Sequence, residues 1–301
     1  MILGASGQVG RPLALAFTKA GWRVVCPSHA AVDFMRPKSL HDLLSATGPE
    51  LVLNAAAMTD VEGCTHDPMT AWRVNAFGPI RLAELAAAAH IRLVHISTDA
   101  VFDGESGRPY REDDLTHPLQ TYGRTKRAAE EGILDLLPDA LILRTAWVFG
   151  GGTARDLAVR MLGWSVSSAE RGAKRSTRAS TDQISSPTHA GDLAERTLDL
   201  VRRDAEGIFH VVNAGMASRY TFARFLYDLV GNPVRVTPVL AEAFPTQAVR
   251  PKRTDLATCR LEALGLGLRP WQDALANDRE TYVAIFRTLL ASFVPPNTGG
   301  T

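Results

Sequence analysis

An α/β fold, a doubly wound parallel sheet with a smaller C-terminal substrate-binding domain, is predicted by three observations. A glycine-rich turn separates the first apolar residues from the first helical stretch. Short apolar runs then alternate with helical patterns as far as residue 150. Beyond Gly150 that rhythm stops. Alternation of this kind places strands side by side in parallel with helices on both faces.

The 301 residues suffice for one large domain or two modest ones. A net charge of +1 with 22% charged residues gives no electrostatic case for nucleic acid or a membrane surface as partner. The longest apolar stretches fall well short of a membrane span. No basic start followed by an apolar stretch and a small-residue cleavage site is present, so no signal peptide is expected and the location expected is cytoplasmic. The cysteines Cys26, Cys64 and Cys259 are odd in number and far apart, which suggests a reduced protein without disulfides. Cys64-Thr65-His66 lacks a second ligand pair and reads as a surface loop, so no metal is expected.

The chain opens Met1-Ile2-Leu3-Gly4-Ala5-Ser6-Gly7-Gln8-Val9-Gly10, with residues 12–19 in helical register. Gly4, Gly7 and Gly10 allow a tight turn and close approach of backbone to a pyrophosphate, and the helix start supplies amide donors. This is the Rossmann arrangement. Only Met1 to Leu3 precede the turn, so the first strand is unusually short or its start lies upstream. Trp22 to Cys26 reads as the second strand. The residues after it, Pro27-Ser28-His29, carry no carboxylate to grip adenosine ribose hydroxyls. That leaves the choice of dinucleotide open, leaning to NADPH over NADH. A helix is expected near 39–45, a third strand over Leu51–Asn54, and a helix from Met69 to Ala89 whose Asn75 could tie strand-end backbone. Residues 1–150 form the expected dinucleotide domain, with a returning segment near 182–214. Residues 151–301 form most of the substrate domain. That part holds basic residues Arg171, Lys174, Arg175 and Arg178, a helix over Tyr220–Val230, a basic cluster at 250–253, and a helical region over Trp271–Leu290. The tail from Pro295 is expected to be disordered.

The chemistry is concentrated between Ser97 and Lys126. A buried strand over 92–96 leads into Ser97-Thr98-Asp99-Ala100, and a helix after Pro118 carries Tyr122 and Lys126 one turn apart on one face. A free phenol has a pKa of about 10. A neighbouring ammonium lowers it, so that Tyr122 can give a proton to a carbonyl oxygen held by Thr98 while hydride arrives at the carbon.

Together these motifs resemble the extended short-chain dehydrogenase/reductases, and within them the dTDP-4-dehydrorhamnose reductase family. The resemblance rests on Gly7-Gln8-Val9-Gly10, Asn54 to Val61, Ser97-Thr98-Asp99, Val101-Phe102-Asp103-Gly104, Tyr122 to Lys126, Arg144 to Val148, Asp182-Gln183, Ser186-Pro187-Thr188 and Arg250-Pro251. It implies reduction, by NADPH or NADH, of the 4-keto group of a sugar carried on a nucleotide diphosphate. Gly7, Gln8, Val9, Asp33, Phe34, Ala57, Met58 and Thr59 would line the cofactor. Tyr122 would be the proton donor, Lys126 would hold the nicotinamide ribose, and Thr98 would assist. Val61, Thr98, Asp99 and Trp147 would surround the sugar. The family carries an aromatic where this chain has Ala100, so a bulkier or differently substituted sugar is expected beside it. A homodimer is the candidate assembly. The family also contains regulatory subunits of methionine adenosyltransferase, with a segment like Pro109-Tyr110-Arg111-Glu112-Asp113, so a non-catalytic binding role is the alternative.

Overall fold

The computed structural model describes residues 1–292 apart from His29, Asp33, Met35 and residues 168–175. The expectations for Asp33, for Arg171, Lys174 and Arg175, and for the tail lie outside the described residues.

In chain order the first half runs β1 (Ile2–Leu3), α1 (Gly10–Lys19), α2 (Pro37–Thr47), β2 (Leu51–Asn54), α3 (Val61–His66), α4 (Pro68–Trp72), α5 (Gly78–Ala88), β3 (Arg92–Thr98), α6 (Thr121–Leu136) and β4 (Leu141–Thr145). The second half adds β5 (Val148–Phe149), α7 (Leu157–Ser167), β6 (Ser176–Ser180), β7 (Ile184–Ser185), β8 (Thr188–His189), α8 (Ala190–Arg202), β9 (Gly207–His210), β10 (Ala217–Ser218), α9 (Arg219–Val230), β11 (Arg235–Val239), α10 (Cys259–Ala263), α11 (Trp271–Asn277) and α12 (Arg279–Ser292).

One parallel sheet has the order β1-β2-β3-β4-β9. Its strands are mostly apolar because both faces are covered, with buried polar positions such as Asn54, His95 and Arg144 among them, and successive side chains point to opposite faces. Leu51 and Leu53 pack with Leu13 and Phe17 of α1 and Leu193 of α8. Val52, between them, packs with Leu82 of α5 and Ile133 of α6. A separate core gathers Phe149, Met161, Phe222, Leu226, Trp271 and Tyr282 from the second half.

Three expectations are corrected. Trp22–Cys26 runs extended but forms no strand: Ile2 N donates to Val25 O at 2.9 Å, and a β1 of two residues offers no further ladder. A cavity of about 250 Å³ lined by Met1, Trp22, Val24, Gly48 and Glu50 lies there instead. The helix expected over Met69–Ala89 is α4 and α5 joined by a π-helical turn over Arg73–Phe77. Such wide turns are common at functional sites, and this one carries the buried Asn75. Cys64 is buried within α3 rather than in a surface loop, its Sγ donating to Met58 O.

Candidate active site

The carboxyl ends of β1 and β2 lie level, β3 runs on to Thr98, and the segments that follow the three strands lie at one edge of the sheet. After β1, the backbone turns at Gly4 with φ +75°. A Cβ there would lie 2.7 Å from Ala56 N, and one on Gly10 would lie 2.1 Å from Gly4 O. The loop and the end of β2 are therefore packed backbone against backbone, and only glycine fits. No side chain caps α1; Arg11 N donates to Gly7 O at 3.2 Å and Pro12 has no N–H, so the positive end of the helix dipole is what α1 chiefly offers an anion. This cradle suits a dinucleotide pyrophosphate. Gly7 N donates to Gly4 O at 2.9 Å, which closes the turn. Val9 packs into the core beneath α1. Gln8 ties this turn to the second half, donating to Gly150 O and accepting from Thr153 Oγ1.

After β2 the chain continues through Ala57, Met58 and Thr59, all half-buried or exposed. Asn75 holds Met58 from both sides, accepting from its N at 2.8 Å and donating to its O at 2.9 Å. This is the strand-end tie expected of it. Phe34 packs on Gly78, at the start of α5, where a Cβ would come within 2.6 Å of its ring.

After β3 comes the turn Asp99–Val101, and beside it α6. Gln120 caps α6, its side chain accepting from Gly123 N at 3.1 Å. Gly123 lets the helix approach the turn: a Cβ there would stand 2.0 Å from Ala100 O. This contact brings Tyr122 to the end of β3, where Thr98 donates to Asp99 Oδ1 at 3.1 Å and accepts from Ala100 N at 3.1 Å. Tyr122 and Thr98 are thus brought within hydrogen-bonding reach of each other, and Lys126 follows one turn further along α6. Their electrostatics differ from those expected. Tyr122 is half-buried, and burial raises its pKa above the ordinary phenol range; a hydrogen bond with Thr98 opposes the rise, and Asp99 and Cys64 add to it. The expected lowering by a neighbouring ammonium does not occur. Lys126 is only 1% exposed, and burial brings its pKa down to about 7 against a smaller upward pull from Glu130. Its Nζ lies 2.8 Å from His95 Nε2 and donates to Ile96 O at 2.7 Å.

The residues expected around the sugar lie on several elements. Val61 opens α3, and Ala100 sits half-buried in the turn. The Asp99 carboxylate is committed to the second half, accepting from Ser185 Oγ at 2.7 Å and Thr254 Oγ1 at 2.5 Å, and burial raises its pKa. Trp147 has φ +41°, a strained conformation for a bulky residue and one found most often at functional sites. The guanidinium of Arg219 lies 3.6 Å from its ring centroid. Burial lowers the pKa of Arg219 to about 9, with Arg250 acting in the same direction.

Sequence reasoning passed over Arg219, His95 and the role of Asn54. Arg219 sits in no motif. His95 left a signal, a polar residue inside an apolar run, which marks a strand position with a buried hydrogen-bond partner. Pro109–Asp113 has a structural use here. The Tyr110 hydroxyl accepts from Gly104 N and Glu105 N at 2.9 Å, and Glu112 accepts from Arg260 N at 3.2 Å. Among the described residues no three His, Cys, Asp or Glu side chains form a metal-binding group.

Residues 1–283 match the family model described as the RmlD substrate binding domain. The chain is 38% identical over 279 residues to dTDP-4-dehydrorhamnose reductase of Mycolicibacterium smegmatis, covering 91% of this chain and 83% of that protein. It is 35% identical to dTDP-4-keto-6-deoxy-D-glucose reductase of Streptomyces niveus, covering 91% and 94%. Among solved structures it is similar to dTDP-4-dehydrorhamnose reductase of Bacillus anthracis in complex with NADP, with a TM-score of 0.85, 28% identity, and 92% and 96% covered.

Proposed function

The chain belongs to the dTDP-4-dehydrorhamnose reductase family, and from that membership we propose that it is an oxidoreductase that uses NADPH to reduce the 4-keto group of a nucleotide-linked deoxysugar. NADH is the alternative donor. The NADP in the Bacillus anthracis relative supports NADPH, as does the missing carboxylate after Trp22–Cys26. One observation carries the reading: a glycine cradle after β1, a small-residue segment after β2 and Thr98 with Tyr122 after β3 share the carboxyl edge of one parallel sheet, where open α/β sheets bind ligands.

When bound, the dinucleotide supplies the hydride. Gly4, Gly7, Gln8, Val9 and Gly10 would hold its pyrophosphate, with Asp33, Phe34, Ala57, Met58 and Thr59 lining the rest and Lys126 reaching the nicotinamide ribose. Tyr122 gives its phenolic proton to the sugar O4, and the Thr98 hydroxyl holds the same oxygen in place. The raised pKa of Tyr122 keeps that proton on the phenol across the neutral range. Val61, Asp99, Ala100 and Trp147 would surround the sugar. We take residues 1–150, joined by the returning β9, as the dinucleotide domain and the remainder as the substrate domain. We take the protein to act in the cytoplasm as a homodimer, an assembly that sedimentation of the purified chain tests. Among the described residues no helix is long and apolar enough to cross a membrane.

The test is turnover of NADPH and NADH against a panel of nucleotide-linked 4-keto sugars, for wild type and Ala100→Tyr. Wild type is expected to oxidise NADPH and to favour sugars bulkier than dTDP-4-dehydrorhamnose. Tyr, Phe and Trp each bury roughly 150–250 Å², so the tyrosine variant should reverse the preference by filling the gap. No turnover with any sugar sinks the reading. A wild type that already prefers dTDP-4-dehydrorhamnose, with no gain in the variant, makes Ala100 a neutral packing change.

A further inference from the structure

Arg144, Arg253 and Arg269, buried or half-buried, each hold a carboxylate: Glu130 at 2.7 Å, Asp255 at 2.7 Å and Asp192 at 2.8 Å. Arg219 is half-buried and holds none. Among the described residues its guanidinium has no ion pair and no hydrogen bond. What it touches is Trp147, whose ring centroid lies 3.6 Å from the guanidinium carbon. At that separation the two planes lie face to face. Stacking uses the face of the guanidinium. Its N–H groups lie in the plane, point outward from its edge, and are left without a partner. A half-buried charge in that state is unfavourable, and an arriving anion relieves it.

The fold fixes this pair near the reacting groups. Trp147 follows β4, whose last residue Thr145 pairs in register with Thr98. Its φ of +41° means that the ring is held there against backbone strain. Arg219 opens α9, where Ser218 Oγ caps the helix by accepting from Thr221 N at 3.0 Å, and Arg219 N donates to Gln183 O at 3.3 Å. The ribbon of β10 and β7 just before it also supplies Ser185, which bonds Asp99. Asp99 acts electrostatically on both Tyr122 and Arg219, so phenol and guanidinium lie within reach of one carboxylate. That carboxylate does not pair with Arg219. Its oxygens accept from Thr98, Ser185 and Thr254. Arg250 and Arg160 add positive charge around Arg219. Arg250 is paired with Glu62 at 3.3 Å, whereas Arg160 stacks on Trp164.

From this unpaired, stacked guanidinium we infer that Arg219, held flat on Trp147, binds the diphosphate of the nucleotide-linked substrate. The identity of that ligand rests on the reductase reading. A planar fork of N–H donors matches two phosphate oxygens at once, which a lysine ammonium cannot do. Arg219 would fix the nucleotide end while Thr98 and Tyr122 act on the sugar. The pyrophosphate of the dinucleotide has its own cradle at Gly4, Gly7 and Gly10.

Calorimetric titration of the full chain, saturated with NADPH so that the glycine cradle is filled, tests this with thymidine diphosphate and thymidine as probes. Wild type should bind the diphosphate at least about tenfold more tightly than thymidine. Arg219→Gln should lose at least about tenfold for the diphosphate and nothing for thymidine. Arg219→Lys keeps a charge without the fork and should recover part of the loss. An Arg219→Gln variant with unchanged diphosphate affinity overturns the inference. So does an equal loss for thymidine or for NADPH, because the guanidinium then serves the base, the cofactor or the fold. Wild type alone decides where the variant does not fold. With arginine labelled by nitrogen-15, the Nε resonance most displaced by an aromatic ring, that of Arg219, should move with thymidine diphosphate and stay with thymidine. No movement overturns the inference. Turnover of the sugar panel with KM unchanged in Arg219→Gln sinks the inference and leaves the reductase reading. Diphosphate binding that depends on Arg219, in a chain that turns over no sugar, does the reverse.

Discussion

At the scale of single residues, the hydroxyl of Tyr122 is the atom on which turnover is expected to depend. Tyr122→Phe removes it and leaves the half-buried ring. General acids contribute typically 10² to 10⁴ in rate, so kcat should fall by about that factor while NADPH affinity, read by calorimetry, stays within about twofold. A loss of affinity as large as the loss of kcat would make the hydroxyl a cofactor ligand instead. The nearness of Tyr122 to Thr98, and of Lys126 one turn on, was legible because it is local: four residues apart on one helix, next to the end of one strand. The burial of Lys126 was not legible: its Nζ lies 2.8 Å from His95 Nε2, and His95 on β3 pairs in register with Asn54 on β2. The sequence rule that an ammonium tunes the tyrosine treats Lys126 as exposed enough to stay charged, and burial removes that condition.

At the scale of elements, the site depends on how closely α6 sits against the turn at Asp99–Val101. Gly123→Ala would put a methyl group where Ala100 O now lies 2.0 Å from the Cβ position. Neither partner is a flexible side-chain end, so the helix or the turn must shift. A displacement of about 1 Å can cost roughly 100-fold in rate. The variant is therefore expected to lose about that much kcat/KM with its helical circular dichroism unchanged. Gly132→Ala, on the same helix, meets only the Ile80 side chain, with Cδ1 and Cγ1 both 2.7 Å from the Cβ position; α5 and α6 must adjust there but the turn at Ala100 is untouched, so activity is expected to stay within about twofold of wild type. Equal losses in both variants would point to general damage to α6. The helices and strands themselves were mostly readable from apolar period. Two failures have a common cause: the segment Trp22–Cys26 has strand composition but lacks a full-length neighbour, and the π-helical turn over Arg73–Phe77 answers to Asn75 bonding Met58. Both depend on partners distant in the chain.

At the scale of the whole molecule, the parallel sheet and the core of the second half are joined by polar bridges that no periodicity announces. Gln8 meets Gly150 and Thr153, Glu62 accepts from Gln247 N at 3.1 Å, and Asp99 accepts from Ser185 and Thr254. The bridge at His189 gives stability a pH dependence. This residue ends β8 and lies 3.2 Å from both Asp192 on α8 and Asp278 between α11 and α12. Burial works against its charge, but the hydrogen bonds to the two carboxylates outweigh it and raise its pKa to about 9. The unfolded value is about 6.5. A folded pKa above the unfolded one means that the native state holds the proton more tightly. The stabilisation is complete below about pH 6.5 and is lost as pH rises through about 9. Every tenfold gain in proton affinity is worth about 1.4 kcal/mol, so on the order of 3 kcal/mol is at stake. Asp192 acts at the other end: burial is outweighed by bonds from His189, Arg269 and Asn213, its pKa is lowered, and its contribution fades only in acid. Urea unfolding at about pH 6.5 and about pH 9.5 should therefore show a lower midpoint at the higher pH. His189→Gln retains one hydrogen bond but cannot carry the charge. It should be less stable than wild type at the lower pH and lose less between the two. If wild type and variant fall in parallel, the alkaline loss arises elsewhere and His189 is neutral in the folded protein.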